Sequence, residues 1–263
     1  MGGTQISKQQ LTAPQFIVPT EILDKEGPIG LDSAEYHHMI QVRRLERGDT
    51  VRLVDGIGNL VLARIREIQA KQVLLEKTGP KKVIDDLIPL DVMMSVIKGD
   101  RMDFAISRLS EIGVRTILPV ITRRSVVRLP GNRLREKRQR WQALSLHSLK
   151  QCRGVMATRI LEPVKLAEIL AKGSGIFSTT SRVLLSENNP GAGLAETMLN
   201  KYRPFPVTLA VGPEGGFTPE ERSGLIQMGF MPAGLGPRIL RSETAAITGA
   251  SVISEIFRSR QNK

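Results

Sequence analysis

The spacing of apolar residues changes near residue 89, and this change divides the chain into two regions. In the first region, short segments such as "TVRLVD" and "LVLARI" alternate or nearly alternate apolar and polar positions, which is typical of half-buried β-strands. The intervening "GIGN" predicts a hairpin turn, and "KQVLLEK" predicts a third strand. A polar stretch bounded by prolines, residues 79–89, predicts a linker. We therefore expect a small β-rich domain over 16–82 and a second domain over 88–263.

The second region alternates predicted strands with predicted helices. "LDVMMSVI" indicates a fully buried strand, and "DRMDFAISRLSEIG" has apolar residues at helical spacing before a closing glycine. Further strands are predicted at "RTILPVI", "RVLLSE", "PVTLAV" and "MPAGL", and further helices at about 132–151, "KLAEILA", 193–202, 218–229 and 242–258. This order implies an α/β fold with a mostly parallel sheet covered by helices on both faces. Ligands of such sheets bind beyond the carboxyl ends of the strands, so the loops there are the candidate sites.

The composition is that of a protein with buried cores: 263 residues, of which 41% are hydrophobic. No apolar run approaches the roughly 18 residues that a membrane helix needs. Residues 1–15 lack the apolar stretch of a secretory signal and are expected to form a flexible tail, although their lack of acids leaves a targeting role open. Cys152 is the only cysteine, which excludes an intramolecular disulfide and a cysteine-based metal cluster. We expect a cytoplasmic protein with no membrane contact and no bound metal.

The net charge of +12 is concentrated in the middle of the chain. Residues 87–160 carry 15 Lys/Arg against 5 Asp/Glu, whereas residues 16–86 carry 11 against 12. The densest stretch, 123–141, has eight basic residues and one acid. A concentrated excess attracts a polyanion, which favours a nucleic-acid contact over a merely solvated helix face. The candidate RNA-binding residues of this stretch are Arg123, Arg124, Arg128 and Arg133.

The stretch "LAVGPEGGFTPEE" (209–221) places three glycines between a strand and a helix. Glycine is costly to order, so this density suggests that a ligand approaches the backbone; a tight strand-to-helix turn is the alternative. Thr218, Pro219 and Glu221 fit the N-cap, the first helical position and the third position of a capping box. The spacing G-x-x-G-G matches neither the dinucleotide fingerprint nor the phosphate loop.

A second loop, "GLGPRILRSETAAI" (234–247), follows the next predicted strand and repeats the Gly-Pro pair. Two such loops at the ends of successive strands would form one pocket wall from backbone groups. A wall of this kind suits an uncharged adenine better than a pyrophosphate.

Together, "GPEGGFTPEE" and "LGPRILRSETAA" closely resemble the paired signature of the SPOUT superfamily, and specifically of its family that methylates N3 of a uridine in small-subunit (16S) ribosomal RNA. "HHMIQVRRLERGDTVRLVDGIG" resembles the N-terminal PUA-like β-barrel of that family, and "VIKGDRMDFAISRLSEIGV" resembles the start of its catalytic domain. The resemblance implies a C-terminal trefoil-knotted parallel-sheet domain beside a small N-terminal PUA-like β-barrel domain. It also implies a homodimer whose partner is the RNA of the small ribosomal subunit.

The resemblance further implies a cofactor, S-adenosylmethionine, held in the knot by three loops. The cofactor-binding residues it predicts are Leu185, Ser186, Glu187, Gly212, Glu214, Gly215, Gly216, Leu235, Gly236, Arg238, Ile239, Leu240 and Thr244. After the histidines His37 and His38, which have no third metal ligand in view, Arg43 and Arg44 match an arginine-containing turn of the family. These two arginines and Arg153 are further candidate RNA contacts.

Methylation of uracil N3 requires catalysis by the protein, because this nitrogen carries a proton at neutral pH. A base must remove the proton, or a cation must stabilise the uracil anion. Arg241 is the nearest candidate for the cation. Glu243 would take the proton or orient Arg241; alternatively, it is a first-turn carboxylate favoured by the helix dipole.

The chain departs from the family pattern at Lys150, where an acid is usual, and at Thr158, where a proline is usual. Two other functions therefore stay open. One is a SPOUT RNA methyltransferase with a different target, such as a ribose hydroxyl or another RNA, although the Asn-rich signature of ribose-methylating relatives is missing. The other is a non-catalytic RNA-binding protein of ribosome assembly, against which the intact glycines 212, 215 and 216 argue.

Overall fold

The computed structural model describes residues 12–125, 131–173, 181–187, 192–200 and 205–261. The chain divides into two units, Met1–Asp86 with Leu149–Ala157, and Leu87–Ser148 with Thr158–Lys263. The division between 86 and 87 lies within the predicted linker. The segment 149–157 belongs with the first unit, although it lies within the stretch that the sequence assigns to the second domain.

The first unit contains a six-stranded sheet. Its strands are β1 (Gln15–Ile17), β2 (Ile29–Asp32), β3 (Thr50–Val54), β4 (Asn59–Ile68), β5 (Gln72–Lys77) and β6 (Lys82–Val83). Their order is β1-β3-β4-β5-β2, with β6 on β4; β1 and β3 are parallel and the other pairs antiparallel. The predicted strands β3, β4 and β5 and the hairpin between β3 and β4 are confirmed. The buried core between strands and short helices includes Phe16, Met39 and Leu53.

Short helical segments complete this unit. They are α1 (Thr20–Asp24), α2 (Ser33–Tyr36) and a π-helical segment (His37–Val42). The π-helical segment contains both histidines and leads into Arg43. Arg44 follows with a backbone φ of 53°, an uncommon value for a residue with a side chain.

The turn between β3 and β4 is organised by the carboxylate of Asp55. Its Oδ1 accepts hydrogen bonds from the amides of Ile57 and Asn59, both at 3.0 Å. Its Oδ2 accepts from Asn59 Nδ2 at 2.6 Å and from the Thr20 hydroxyl at 2.9 Å. Partial burial by itself raises the pKa of Asp55, but the hydrogen bonds from Asn59, Ile57 and Thr20 outweigh it and hold the pKa below the ordinary 3.8.

The Asp55→Asn substitution is expected to destabilise this turn by about 1 kcal/mol, because an amide cannot accept all four hydrogen bonds. The stabilisation by Asp55 should be full above the ordinary pKa and should disappear as pH falls through the lowered pKa of the folded state. Amide hydrogen exchange at Asn59 and Leu60, compared between wild type and variant across this pH range, measures the loss. The exposed Asp32→Asn is the control. Equal exchange in wild type and Asp55→Asn at neutral pH would contradict the assignment.

The segment 149–157 is held by side chains of the first unit. Gln15 Nε2 donates to the carbonyls of Leu149 and Gly154, at 2.9 and 2.7 Å. Buried Arg52 donates from Nε to Gln15 Oε1 at 2.9 Å and from Nη2 to the carbonyl of Arg153 at 3.2 Å. Loss of solvation, and then the charge of Arg153, lowers the pKa of Arg52. These contacts fix the backbone of a predicted RNA-binding residue within the first unit.

The second unit is built on a seven-stranded, entirely parallel sheet. Its strands are β7 (Ile88–Ser95), β8 (Val114–Ile121), β9 (Arg159–Ile160), β10 (Val164–Lys165), β11 (Ser181–Leu185), β12 (Val207–Val211) and β13 (Met231–Ala233). Their order is β10-β8-β7-β12-β11-β13, with β9 on β8. All paired strands run parallel, as the alternating pattern predicts.

Six helices cover this sheet in the described residues. They are α3 (Asp100–Ile112), α4 (Gly131–Cys152), α5 (Leu166–Lys172), α6 (Leu194–Asn200), α7 (Pro219–Gln227) and α8 (Ser242–Gln261). α8 packs against α3, α6 and the central strands β7 and β12. Gly249 makes this approach close, because a Cβ there would lie 2.9 Å from Leu209 Cδ2 and 3.1 Å from Leu185 Cδ1.

The α/β class of the second unit is thus confirmed, while the threading of a knot stays a prediction of the resemblance. After β13 at the sheet edge, the chain returns through 234–241 to α8, which lies on the central strands. Where these segments pass, the carbonyl of Gly234 accepts from the amide of Leu194 at 2.8 Å, and the amide of Gly234 donates to the carbonyl of Ala192 at 3.0 Å. Within the described ranges, no helix has the length and apolar character needed to cross a membrane.

Candidate functional site

Three loops meet where β12, β11 and β13 end side by side. They line a cavity of about 310 Å³, named here the loop cavity. Predicted cofactor residues that line it are Leu185, Ser186, Glu187, Gly212, Glu214, Gly215, Gly216, Leu235, Gly236, Arg238, Ile239 and Leu240. Arg241 also lines it, whereas Thr244 and Glu243 do not. The parallel sheet therefore brings together residues that are distant in sequence, as its topology requires.

The glycines of the first loop have different structural reasons. Gly216 has a φ of 67°, which a residue with a side chain adopts only at a cost. At Gly212, a Cβ would lie 3.2 Å from the ring of Phe217, so this glycine makes room for the aromatic side chain. At Gly215, a Cβ would make an ordinary 3.5 Å contact with Arg124 Cδ. Neither backbone strain nor packing accounts for Gly215, which is consistent with a ligand approaching its backbone.

The helix that follows this loop begins as the capping box predicts. The Thr218 hydroxyl accepts from the amide of Glu221 at 3.3 Å, and the Glu221 carboxylate accepts from the amide of Thr218 at 3.0 Å. Glu221 is buried, and its second oxygen accepts from the amide of Arg123 at 2.8 Å. One carboxylate thus joins the start of α7 to the loop after β8.

Two arginines outside the three predicted loops hold the first loop in place. Arg124 Nη1 donates to the carbonyl of Gly215 at 2.7 Å, and its side chain lines the loop cavity. Arg101 pairs with Glu214 at 2.7 Å. Arg124 was predicted as an RNA contact, and its place at the cavity is additional to that prediction. The position of "RR" directly after β8, at the same sheet edge, is the sequence signal for this contact.

The second loop leaves its side chains accessible. Arg238, Ile239 and Arg241 are all exposed, and Ile239 is 79% exposed. Gly236 has a φ of 108°, and no atom lies within 4 Å of the place of its Cβ. The loop cavity thus combines open space with two cationic side chains on this side.

Glu243 has a different environment from Arg241. It lies in the first turn of α8, is 6% exposed and has no part in the cavity lining. Its Oε2 has no hydrogen-bond partner among the described residues, and within those residues it forms no ion pair with Arg241. This geometry favours the first-turn carboxylate among the three roles considered for Glu243.

The predicted RNA-binding residues lie in both units. Arg43 and Arg44 are exposed in the first unit, as is Arg153, which has a φ of 61°. Arg123 and Arg133 are exposed in the second unit. Arg128 lies outside the described residues.

The two departures from the family pattern have structural partners within their own units. Lys150 Nζ lies 2.9 Å from Glu35 Oε1, and both side chains are mostly buried. The Thr158 hydroxyl donates to the carbonyl of Val114 at 2.6 Å, a contact that a proline could not make. Lys150 therefore has a charge partner in this chain, and Thr158 is part of the second unit's framework.

Several lining residues were not predicted. Phe217, Arg222, Ser242 and Ala245 reach the loop cavity from the ends of the two Gly-Pro loops. Phe217 and Arg222 follow the glycines of the first loop, and Ser242 and Ala245 follow Arg241 of the second. Including the first turn of the helix after each loop would have found them.

By its fold, the second unit is an α/β domain with a cavity at the carboxyl edge of a parallel sheet, where ligands of such sheets ordinarily bind. Residues 85–254 match the protein family described as "RNA methyltransferase domain", and residues 31–78 match "RNA methyltransferase PUA domain". The chain therefore belongs to the RNA methyltransferase family that combines these two domains, as its motifs predict.

Individual relatives agree with this assignment. The chain is 26% identical over 255 residues to the ribosomal RNA small subunit methyltransferase E of Bacillus subtilis, covering 94% of this chain and 98% of the relative. Among solved structures, the methyltransferase of the same name from Neisseria gonorrhoeae, bound to S-adenosylmethionine, has a TM-score of 0.76 at 25% identity. A Legionella pneumophila protein with bound SAM has a TM-score of 0.75 at 26% identity. Each match covers 93% of this chain and 98% of the solved one.

Proposed function

We propose that this protein uses S-adenosylmethionine to methylate N3 of a uridine in the RNA of the small ribosomal subunit. The observation that carries the proposal is the loop cavity, formed by two Gly-Pro loops at the carboxyl edge of the sheet in a chain of the RNA methyltransferase family. Relatives that cover nearly the whole chain are named for small-subunit ribosomal RNA, which supports this substrate. The uridine and its N3 rest on the motif resemblance.

The residues of the loop cavity fit this cofactor. The segments 212–216 and 235–240 bring backbone hydrogen-bonding groups to the lining, and Leu185 and Ala245 supply apolar contact. The unexplained Gly215 leaves its backbone open to close approach. When bound, S-adenosylmethionine supplies an electrophilic methyl group on a sulfonium. Most of the protein's contribution is then positioning, because in-line transfer depends on the placement of the attacking nitrogen.

Arg241 is proposed to stabilise the uracil anion that forms when N3 gives its proton to solvent water. Its side chain is exposed and brings a cationic guanidinium to the lining of the loop cavity. A fixed cation next to developing negative charge is the kind of group that lowers such a barrier. Glu243, buried outside the lining, is assigned to the start of α8 rather than to proton removal.

The proposed setting follows from the same family. The protein acts in the cytoplasm as a homodimer, and its RNA contacts come from Arg43, Arg44, Arg123, Arg133 and Arg153. Arg128 belongs to the same proposal from sequence alone. The excess of basic residues over 87–160 supports the assignment of RNA as the partner.

Mass mapping of small-subunit ribosomal RNA tests the function. RNA from cells that lack the protein should have one uridine short of one methyl group, and purified protein with S-adenosylmethionine should restore it. Blocking of N3 is read from the loss of Watson–Crick pairing at that uridine during reverse transcription. An unchanged RNA map in the deletion strain would contradict the proposal, and a methyl group on ribose would redirect it to a different acceptor.

A further inference from the structure

A second concave surface, named here the α7 groove, adjoins the loop cavity and has a volume of about 460 Å³. It shares Arg124, Phe217 and Arg222 with the loop cavity. Its lining residues are Arg124, Phe217, Pro219, Arg222, Ser223 and Ile226. Whatever binds in the α7 groove therefore lies directly beside the proposed methyl donor.

The α7 groove carries positive charge that its own lining does not neutralise. Two of the six lining residues are arginines and none is acidic. The nearby carboxylate of Glu221 is already bonded to the amides of Thr218 and Arg123. Glu220 lies outside the lining, and its carboxylate is 3.6 Å from Arg123. A hydrogen bond with the Thr218 side chain and then the charges of Arg123 and Arg124 lower the pKa of Glu220, so this carboxylate offsets part of the charge of Arg124. The lining therefore favours an anionic ligand.

The Nε–H group of Arg222 is a hydrogen-bond donor without an acceptor among the described residues. Its Nε is buried and makes no hydrogen bond within the described parts of the chain. An unsatisfied buried donor is unfavourable, and more so when it belongs to a charged group. A phosphate oxygen would satisfy this donor, because the planar fork of a guanidinium matches phosphate geometry.

Arg124 is the second cation of the α7 groove, and its position is fixed. The hydrogen bond from Nη1 to the carbonyl of Gly215 holds the side chain while leaving it exposed. This is its only hydrogen bond to the described residues, so other N–H groups of the same guanidinium are available to a ligand. Two arginines on one small surface are what phosphate recognition requires.

The remaining lining is apolar. Phe217 is half-buried against Gly212, Pro219 is exposed, and Ile226 is 41% exposed. Nucleobases stack on such surfaces, most favourably on an aromatic side chain. Hydrogen-bond donors for a phosphate, next to an apolar surface for a base, match the two chemical parts of a nucleotide.

We propose that the α7 groove binds one nucleotide of the substrate RNA next to the target uridine, with its phosphate on Arg222 and Arg124 and its base against Phe217 and Ile226. The proposal rests on the function proposed above, because the groove adjoins the loop cavity. It adds a binding site for a single-stranded stretch of the substrate, in which the bases are free to leave the stack.

A pair of serine substitutions tests the site without disturbing the core. Ser223 lines the α7 groove and Ser251 lies on α8 outside both cavities; both are exposed. Filter binding of a small-subunit ribosomal RNA transcript is measured at several KCl concentrations. Ser223→Glu should weaken RNA binding about tenfold at low salt, since its new charge repels the phosphate, whereas Ser251→Glu should change it less than twofold.

The Arg222→Gln variant tests the phosphate contact itself. RNA affinity should fall about tenfold, and the slope of log affinity against log salt should become smaller by about one. Binding of S-adenosylhomocysteine, measured by calorimetry, should change less than twofold in Ser223→Glu, because Ser223 is not part of the lining of the loop cavity. Unchanged RNA affinity and slope in both groove variants would overturn the proposal. A loss of cofactor affinity in Arg222→Gln with RNA binding intact would also overturn it, because the buried donor would then serve the cofactor.

These measurements separate this site from the proposed function. Methyl transfer to the transcript by the wild-type protein is measured in parallel. Absence of transfer with normal RNA binding would count against the proposed reaction, while the comparison of Ser223→Glu with Ser251→Glu would still report on the α7 groove.

Discussion

Replacing Arg241 by alanine is expected to slow methyl transfer by about 10²–10³-fold in a single turnover, at saturating cofactor and RNA. The physical reason is that Arg241 is a cation in the lining of the loop cavity, where the proposed reaction would develop negative charge on the uracil. Its side chain is exposed, so its removal leaves no cavity in the core. Rapid-quench measurement of labelled methyl on the RNA gives the rate without contributions from product release.

Two further variants sharpen this prediction. Arg258→Ala makes the same chemical change at an exposed site in the last turn of α8 and should leave the rate within twofold. Glu243→Gln should slow transfer far less than Arg241→Ala, because this buried carboxylate has no contact with the loop cavity. Near-wild-type transfer by Arg241→Ala would refute the role of Arg241. A loss in Glu243→Gln that equals the loss in Arg241→Ala would instead restore Glu243 as a base.

Gly249→Val is expected to destabilise the second unit by about 2–3 kcal/mol and to weaken cofactor binding. Its Cβ would lie 2.9 Å from Leu209 Cδ2 and 3.1 Å from Leu185 Cδ1, and the branched side chain adds further overlap. Leu209 is fully buried and Leu185 lines the loop cavity, so relief of the overlap moves a wall of the site. Urea unfolding followed by fluorescence of Trp141, the only tryptophan and a core residue of this unit, measures the loss of stability.

Ser251→Val is the matched control for this prediction. It places the same branched side chain two residues further along α8 at an exposed position, where the cost should be a few tenths of a kcal/mol. Gly249→Ala should have an intermediate effect, since the gain in helix propensity offsets part of the overlap. If Gly249→Val unfolds at the same urea concentration as wild type, α8 does not pack as closely as the structure indicates.

Local chemistry explains which features could be predicted from the sequence. The start of α7 could be predicted because Thr218, Pro219 and Glu221 lie within four residues and the hydrogen bonds of the capping box form within one turn. The parallel sheet of the second unit followed from alternating strands and helices, and its topology then brought the two Gly-Pro loops to one edge. These features depend on interactions between neighbouring residues or on a repeated pattern.

Contacts between distant segments could not be predicted from the sequence. The hydrogen bond of Arg124 to Gly215 joins residues 91 positions apart, and the bonds of Gln15 to the 149–154 stretch join residues more than 130 apart. The two-residue strands β6, β9 and β10 are too short to show any periodicity. Burial of Glu243 escaped prediction because a first-turn acid is ordinarily exposed and its pattern is the same in either case.

The hydrogen bond between the Glu221 carboxylate and the amide of Arg123 has a consequence for how the affinities of the methyl donor and the RNA depend on each other. A ligand that restricts the glycine loop before α7 also restricts, through this one carboxylate, the backbone that carries Arg123 and Arg124. With the donor and the RNA bound as proposed, this link would couple their affinities: whatever factor the donor contributes to RNA affinity by this route, the RNA must contribute to donor affinity. After transfer, loss of either product lowers the affinity for the other, so the same carboxylate that favours assembly of the complex also favours its release.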